Sequence, residues 1–327
     1  MRATIPTNSS TEDVRRDDLA SDSIRLHSAL RFCRSREVNQ LISRYAKKNR
    51  AKLLKKLENC LSLVVFKISY TLNYSHHIMK SDAVVIIPTY NEKENIEAII
   101  RAVFTLPQAF HVLIVDDGSP DGTADIVKSL QQEFTEELHI IERSGKLGLG
   151  TAYICGFKWA IEHKYDYIFE MDADFSHNPK DLLRLYKACS EEGADAAIGS
   201  RYINRLVNVV NWPIGRVLMS YYASAYVRLV TGLRIFDTTA GFMCYRREVL
   251  ETIELDKIRF KGYAFQIEMK FTATKCGFKV KEVPIVFTNR ELGTSKMSGG
   301  IFSEAVIGVI QLKWSSFFRK YPQKSQK

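Results

Sequence analysis

From Ser81 to Arg201 the chain alternates short apolar runs with helical patterns, and this alternation restricts the fold more than any other feature. AVVIIP is a continuous apolar run, as expected for a strand buried on both faces. NEKENIEAIIRAVFTL follows with helical spacing, then HVLIVDD as a second buried strand and DGTADIVKSLQQEF as a second helix. LHIIER, GTAYICGFKWAIEHK, YDYIFEMDAD, NPKDLLRLYKACSEEG and ADAAIGSR continue the strand–helix order. Such a pattern predicts an α/β fold with a mostly parallel, doubly wound sheet flanked by helices. Sheets of this kind bind ligands beyond the carboxyl ends of their strands. The polar insertions fall at those ends: Pro88-Thr89-Tyr90-Asn91-Glu92, Asp116-Asp117-Gly118-Ser119, Asp172-Ala173-Asp174 and Gly199-Ser200-Arg201.

Among these, Asp172-Ala173-Asp174 carries the most chemistry. The strand YDYIFEMDAD runs through it, and alternation puts both carboxylates on one face, close enough to share a cation. Adjacent carboxylates repel at neutral pH, so the pair implies a metal, a shared proton or a cationic partner. Hard oxygen ligands select Mg²⁺ or Mn²⁺, which commonly bridge to substrate phosphates. Taken alone, the pair reads equally as a solvated acidic turn before the helix near Pro179; the four converging loops favour a site. Asp117, beside the tight turn at Gly118, is placed to accept from a ribose hydroxyl or base edge, with helix capping by Asp116 or Ser119 as the other reading. His177 reads as a ligand, a base or a polar residue near a helix start. Gly145, Gly148, Gly150 and Gly156 do not match a dinucleotide fingerprint and serve either close nucleotide approach or helix packing.

After Arg201 the alternation stops. WPIGRVLMSYYASAYVRLVTGL reads as an aromatic-rich amphipathic helix, YAFQIEMKFTATKCG as a helix, KVKEVPIVFTNR as a strand and ELGTSKMSGG as a loop. This half is expected to be acceptor-side structure on the same domain. Arg201, Arg216, Arg290 and Lys296 have phosphate-binding chemistry, the last two bracketing Gly293 in a loop suited to a lid.

Charge divides unevenly. Residues 1–80 hold 16 of the 47 Lys+Arg and 7 of the 37 Asp+Glu, leaving 31 against 30 for the rest. The high pI therefore describes the N-terminal segment, and no nucleic-acid partner is expected for the nearly neutral remainder. The six cysteines are scattered without a C-x-x-C pair and read as reduced thiols of a cytosolic compartment. No apolar stretch reaches the ~20 residues a bilayer requires. We expect residues 1–78 to be a basic extension, disordered or weakly helical and dispensable, residues 79–300 to be the catalytic domain, and residues 301–327 to be an amphipathic C-terminal helix and tail. That helix suits a membrane interface, a partner or packing on the domain.

VVIIPTYNE, VDDGSPDGT, GLGTAYICGF, MDADFSHNP, GSRY, DTTAGF, GYAFQIEM and NRELGTSK occur in one order. Together they closely resemble the dolichyl-phosphate (polyprenyl-phosphate) mannosyltransferases, inverting enzymes of GT-A fold (Rossmann-like) in glycosyltransferase family 2, over roughly residues 82–310. The resemblance implies that Pro88, Tyr90, Glu92, Val115 and Asp117 line the base and ribose. It also implies that Asp172, Ala173 and Asp174 hold Mg²⁺ or Mn²⁺ and the donor diphosphate, and that Arg290 and Lys296 clamp that diphosphate. Arg201, Arg216 and Ser220 would receive the acceptor phosphate, with Asp174 and Arg201 acting directly at the reacting groups. Some members carry Gln two residues after the second Asp as a metal ligand; this chain has Ser176 there, as others do, and its part in ligation stays open. The implied partners are GDP-mannose, a polyprenyl or dolichyl phosphate, and a membrane surface or small membrane-spanning subunit on the cytosolic face. UDP-glucose on the same fold is the alternative donor reading, and a non-catalytic nucleotide-sugar or lipid-binding protein the second.

The chemistry agrees with that implication. A polyprenyl phosphate is already an anionic nucleophile, so no general base is required, and the task is to bring two anions together.

Overall fold

The computed structural model describes residues 81–203, 206–289 and 301–325. Its centre is a seven-stranded sheet. The first half follows the sequence pattern closely: β1 (Ala83–Thr89), α1 (Ile96–Phe104), β2 (His111–Asp116), α2 (Thr123–Leu130), β3 (Leu138–Glu142), α3 (Leu149–Glu162), β4 (Tyr167–Glu170), α4 (Asp181–Ser190) and β5 (Ala196–Ser200). β1 pairs in parallel with β2 and β4, and β2 with β3. Ala83 to Ile87, Val112 to Val115 and Ile168 to Phe169 are fully buried, because helices cover both faces of these strands.

The second half contributes three short strands, β6 (Tyr202–Ile203), β7 (Leu206–Val207) and β8 (Val209–Val210), and the long helix α5 (Ile214–Thr231). It then returns to the same sheet through β9 (Met243–Arg246), which leads into α6 (Arg247–Thr252). Helix α7 (Tyr263–Lys275), β10 (Val280–Pro284), β11 (Phe287–Thr288) and α8 (Ile301–Ser315) complete it. β9 inserts antiparallel between β4 and β5, and β10 pairs in parallel with β5, giving the order β10-β5-β9-β4-β1-β2-β3. The stretch read from sequence as one strand, 279–290, is broken after Pro284, and β11 pairs with β8 instead.

Two glycines set how closely α3 lies on the sheet. A Cβ at Gly156 would come within 2.7 Å of Ile86 on β1, and one at Gly150 within 2.8 Å of Phe265 on α7. These glycines therefore serve helix packing, the second of the two readings of that glycine run. At the other end of the chain, α8 packs on α5 and α7 through Val309 and Leu312. The Tyr226 hydroxyl donates to the Val306 carbonyl at 3.0 Å. No helix among the described residues is long and apolar enough to cross a membrane.

Candidate active site

Parallel register carries the loops after β1 and β2 to one edge, with Pro88 opposite Val115 and Thr89 opposite Asp116. Small side chains then tie the two loops together. Thr89 Oγ1 donates to Asp116 Oδ1 at 2.7 Å, and Ser119 donates through its backbone N–H (2.8 Å) and hydroxyl (2.6 Å) to the same carboxylate. The backbone N–H groups of Asn91, Glu92 and Lys93 donate to Ser119, Thr123 and Asp121. Asp116 is thus a buried loop anchor, and Asp121 caps the turn into α2 through Thr123. Gly118 turns there with φ +67°, where a Cβ would press on Gly145 at 3.2 Å.

Asp117 is buried and already paired: Arg143 Nε donates to it at 2.6 Å, and the Leu147 N–H at 3.2 Å. Arg143, which the motif reading did not single out, also donates to Thr151 Oγ1 at 2.8 Å and so connects the β2 edge to the start of α3. Pro88, Tyr90 and Glu92 are half-buried at the same edge, and Lys146 Nζ lies 5.0 Å from the Tyr90 ring centre. Val115 differs from its expected place in a ligand wall. Its side chain is fully buried in the core, because it points from β2 into the layer under α3.

The acidic pair corrects another expectation. β4 ends at Glu170, so Asp172 and Asp174 do not share a face by strand alternation. They sit in a bend shaped by Phe175 (φ +57°) and by the Ser176 N–H, which donates to Asp174 Oδ1 at 3.1 Å. The bend separates their environments: the Asp172 side chain is 41% exposed, whereas Asp174 is 8% exposed. Beside them the Ser176 hydroxyl is buried and meets no hydrogen-bond partner. Two carboxylates and an unpartnered hydroxyl form a hard-oxygen set that fits a divalent cation. Among the described residues there is no group of three or more His, Cys, Asp or Glu that could hold a metal ion.

His177 is packed into the wall behind the acidic bend. It is buried, stacks on Phe242 at 4.8 Å, and its Nδ1 faces the Asp172 N–H at 3.3 Å. Burial pushes the imidazole down to about 4, which keeps it neutral.

These loops match known proteins. A family model described as glycosyl transferase family 2 matches residues 84–254. Polyprenol monophosphomannose synthase of Mycolicibacterium smegmatis is 48% identical over 227 residues, which are 69% of this chain and 85% of that protein. Undecaprenyl-phosphate mannosyltransferase of Micrococcus luteus is 46% identical over 224 residues, 68% of this chain and 90% of the other. The chain belongs to glycosyl transferase family 2. Its fold is shared with glucosyl-3-phosphoglycerate synthase of Mycobacterium tuberculosis, solved with Mn²⁺, UDP-glucose and phosphoglyceric acid. That match has a TM-score of 0.51 and 17% identity, covering 74% of this chain and 81% of the other.

In this family 2 transferase the far side of the edge is basic. Arg201, which follows β5, is buried and holds Asp237 in a fork: Nε to Oδ2 at 2.7 Å, Nη2 to Oδ1 at 2.7 Å and the backbone N–H to Oδ2 at 2.9 Å. The guanidinium lies between the rings of Tyr202, Trp212 and Phe287, at 5.3 to 5.7 Å. Arg216, on the first turn of α5, stacks on the same Trp212 at 4.2 Å and donates to Asn289 at 3.1 Å. Ser220, one turn later, faces the Tyr202 hydroxyl. Arg201, Arg216 and Ser220 therefore lie around the rings of Tyr202 and Trp212. Arg290 and Lys296, the expected lid cations, lie outside the described residues.

Behind this edge is a buried charged layer with no signature in the motifs. Glu170 accepts from Gln266, and Lys270 donates to the carbonyls of Ala240 (2.5 Å) and Gln266 (3.2 Å). Burial raises the Glu170 carboxyl and lowers the Lys270 ammonium, each opposed by the other's charge. The Glu282 carboxylate accepts from Ser200 (2.8 Å) and from the N–H groups of Phe236 (2.8 Å) and Asp237 (2.9 Å).

Proposed function

We propose that this transferase moves mannose from GDP-mannose to a polyprenyl phosphate with inversion, giving polyprenyl β-mannosyl phosphate and GDP. What carries the reading is the near-half identity, over most of their length, to two proteins named for polyprenyl-phosphate mannose transfer. Pro88, Tyr90, Glu92 and Asp117 form the nucleoside side of the site, with Arg143 holding Asp117 in place. Asp172 and Asp174, with Ser176 beside them, would hold Mg²⁺ or Mn²⁺, whose charge offsets that of the leaving diphosphate. By the family resemblance, Arg290 and Lys296 would clamp the donor diphosphate. Arg216, Ser220 and Arg201 receive the acceptor phosphate, whose oxygen attacks the anomeric carbon in line with the departing GDP. That oxygen carries its negative charge into the reaction, so the site can leave His177 neutral and turned to the backbone.

A polyprenyl tail fixes where the enzyme works. Ile214, Leu218, Met219, Tyr222 and Leu229 are exposed on one face of α5, the helix that also carries Arg216 and Ser220. Trp314, Phe317 and Phe318 are exposed at the end of α8 and beyond it. Such surfaces suit peripheral binding to the membrane that presents the lipid phosphate.

Purified full-length protein with Mg²⁺ or Mn²⁺, a polyprenyl phosphate and a panel of radiolabelled nucleotide sugars tests the proposal. Label reaching the lipid phase from GDP-mannose alone is the expected result. Transfer from UDP-glucose alone overturns the donor assignment.

A further inference from the structure

We propose that Asp237 and Lys270 are positioning residues for the acceptor phosphate: buried charges that fix Arg201, and through it Trp212 and Arg216, without touching either substrate. The inference rests on the acceptor role given above to Arg201 and Arg216. Asp237 is fully buried and accepts three hydrogen bonds from the one residue Arg201, so the guanidinium plane cannot rotate without breaking two of them. Thr239 accepts from Nη2 of the same guanidinium at 2.9 Å. Both partners thus lie on one segment, 237–240, and that segment is clamped at each end. Glu282 of β10 takes the N–H of Asp237 at its start, and Lys270 of α7 takes the carbonyl of Ala240 at its close.

Lys270 reaches this carbonyl from a helix on which a second polar side chain, Gln266, donates to Glu170 at the end of β4. Two residues after Glu170 comes Asp172. One buried network therefore extends from the strand that delivers the acidic pair to the arginine on the opposite side. A fully buried lysine directed at a backbone carbonyl is a costly choice if only packing were needed. Its charge orients the 237–240 segment, and the segment orients Arg201. Arg201 and Arg216 share Trp212 as a common stacking surface, so tilting one guanidinium displaces the other.

Steady-state transfer by the full-length protein, varying GDP-mannose and a short polyprenyl phosphate independently, tests this. Asp237→Asn is expected to raise the acceptor KM at least about tenfold while the GDP-mannose KM stays within about twofold. Lys270→Met should shift the acceptor KM in the same direction by about threefold or more. The double variant should be no worse than Asp237→Asn, since both act through one segment. An acceptor KM unchanged in both variants, or both KM values rising together, overturns the inference. If Asp237→Asn does not fold, Lys270→Met decides it by the same split between substrates. An inactive wild-type protein overturns the function itself; an active one with insensitive variants overturns only the positioning role.

Discussion

In the proposed site, the donor edge at the ends of β1 and β2 is held mainly by short hydroxyl and carboxylate side chains that bind loop N–H groups and one another, whereas the acceptor edge is held by an arginine–aspartate pair buried beside aromatic rings. Thr89, Ser119, Thr123 and Asp121 each satisfy a nearby loop, and losing one leaves its neighbours in place. Asp237, Arg201 and Lys270 have no such redundancy, because a lone charge left in the interior costs several kcal/mol. The donor loops need to grip a large ligand with many contacts. On the proposed reading the acceptor edge presents positive charge to a single phosphate at a fixed angle, which buried pairing would hold.

Asp174 lies at the seam between the two edges, and its loss should exceed any change on either side. Asp174→Asn keeps the hydrogen bond from Ser176 N–H and removes the charge, so the fold should persist. Turnover should fall by about a hundredfold or more at saturating substrates, with metal dependence shifted to higher concentration. Near-normal rates at limiting metal would remove Asp174 from the reacting site.

Arg143 and Asp117 form a buried ion pair on the donor edge, which makes the contrast testable within that edge. Arg143→Met leaves the Asp117 carboxylate buried without its partner. We expect a rise of about tenfold in the GDP-mannose KM and a loss of about 2–3 kcal/mol in stability by denaturant titration. Thr89→Ala removes one of three donors to Asp116 and should cost only about 1 kcal/mol, with a change in donor KM of about threefold or less. Equal effects from the two substitutions would erase the distinction between an ion-paired and a hydroxyl-held carboxylate.

Much of the donor half was legible because buried parallel strands are continuous apolar runs and each helix between them keeps its 3.6-residue period. The acceptor half hid its logic. β9 is only Met243–Arg246, lies antiparallel between two parallel strands and shows no alternation to mark it. The apolar run at 167–171 concealed the end of β4, since Met171 is as buried as a strand residue but the ladder to β1 stops at Glu170. Val115 matched a ligand-wall motif, yet its fully buried side chain packs into the core. The pairings of Lys270, Asp237 and Glu282 were hidden for a different reason, although Asp237 opens the DTTAGF motif. Each looks like a surface charge until distant segments supply its partner, and Asp237 and Arg201 are 36 residues apart.

The smallest effect expected is on stability alone, and it comes from the opposite edge of the donor half. His111 begins β2, away from the carboxyl end of the strand; its Nδ1 meets the Tyr165 hydroxyl at 2.6 Å, and its ring lies 5.9 Å from His139. Burial, then the neighbouring imidazole, pushes His111 down from 6.5 to about 4. Burial lowers His139 as well, with His163 adding to it and Glu136 opposing it. A base depressed in the folded state binds its proton more readily once unfolded, so stability is complete above about pH 6.5 and declines as pH falls toward 4. Because His111 keeps a solvent-facing part, screening should hold its share to about 1 kcal/mol. A His111→Gln variant should therefore flatten the fall in Tm between pH 6.5 and 4 by a few degrees. Its pH–activity profile above pH 6.5 should match wild type, since the groups facing that ring are Tyr165 and His139. A shifted activity profile would instead connect this half-buried cluster to the site.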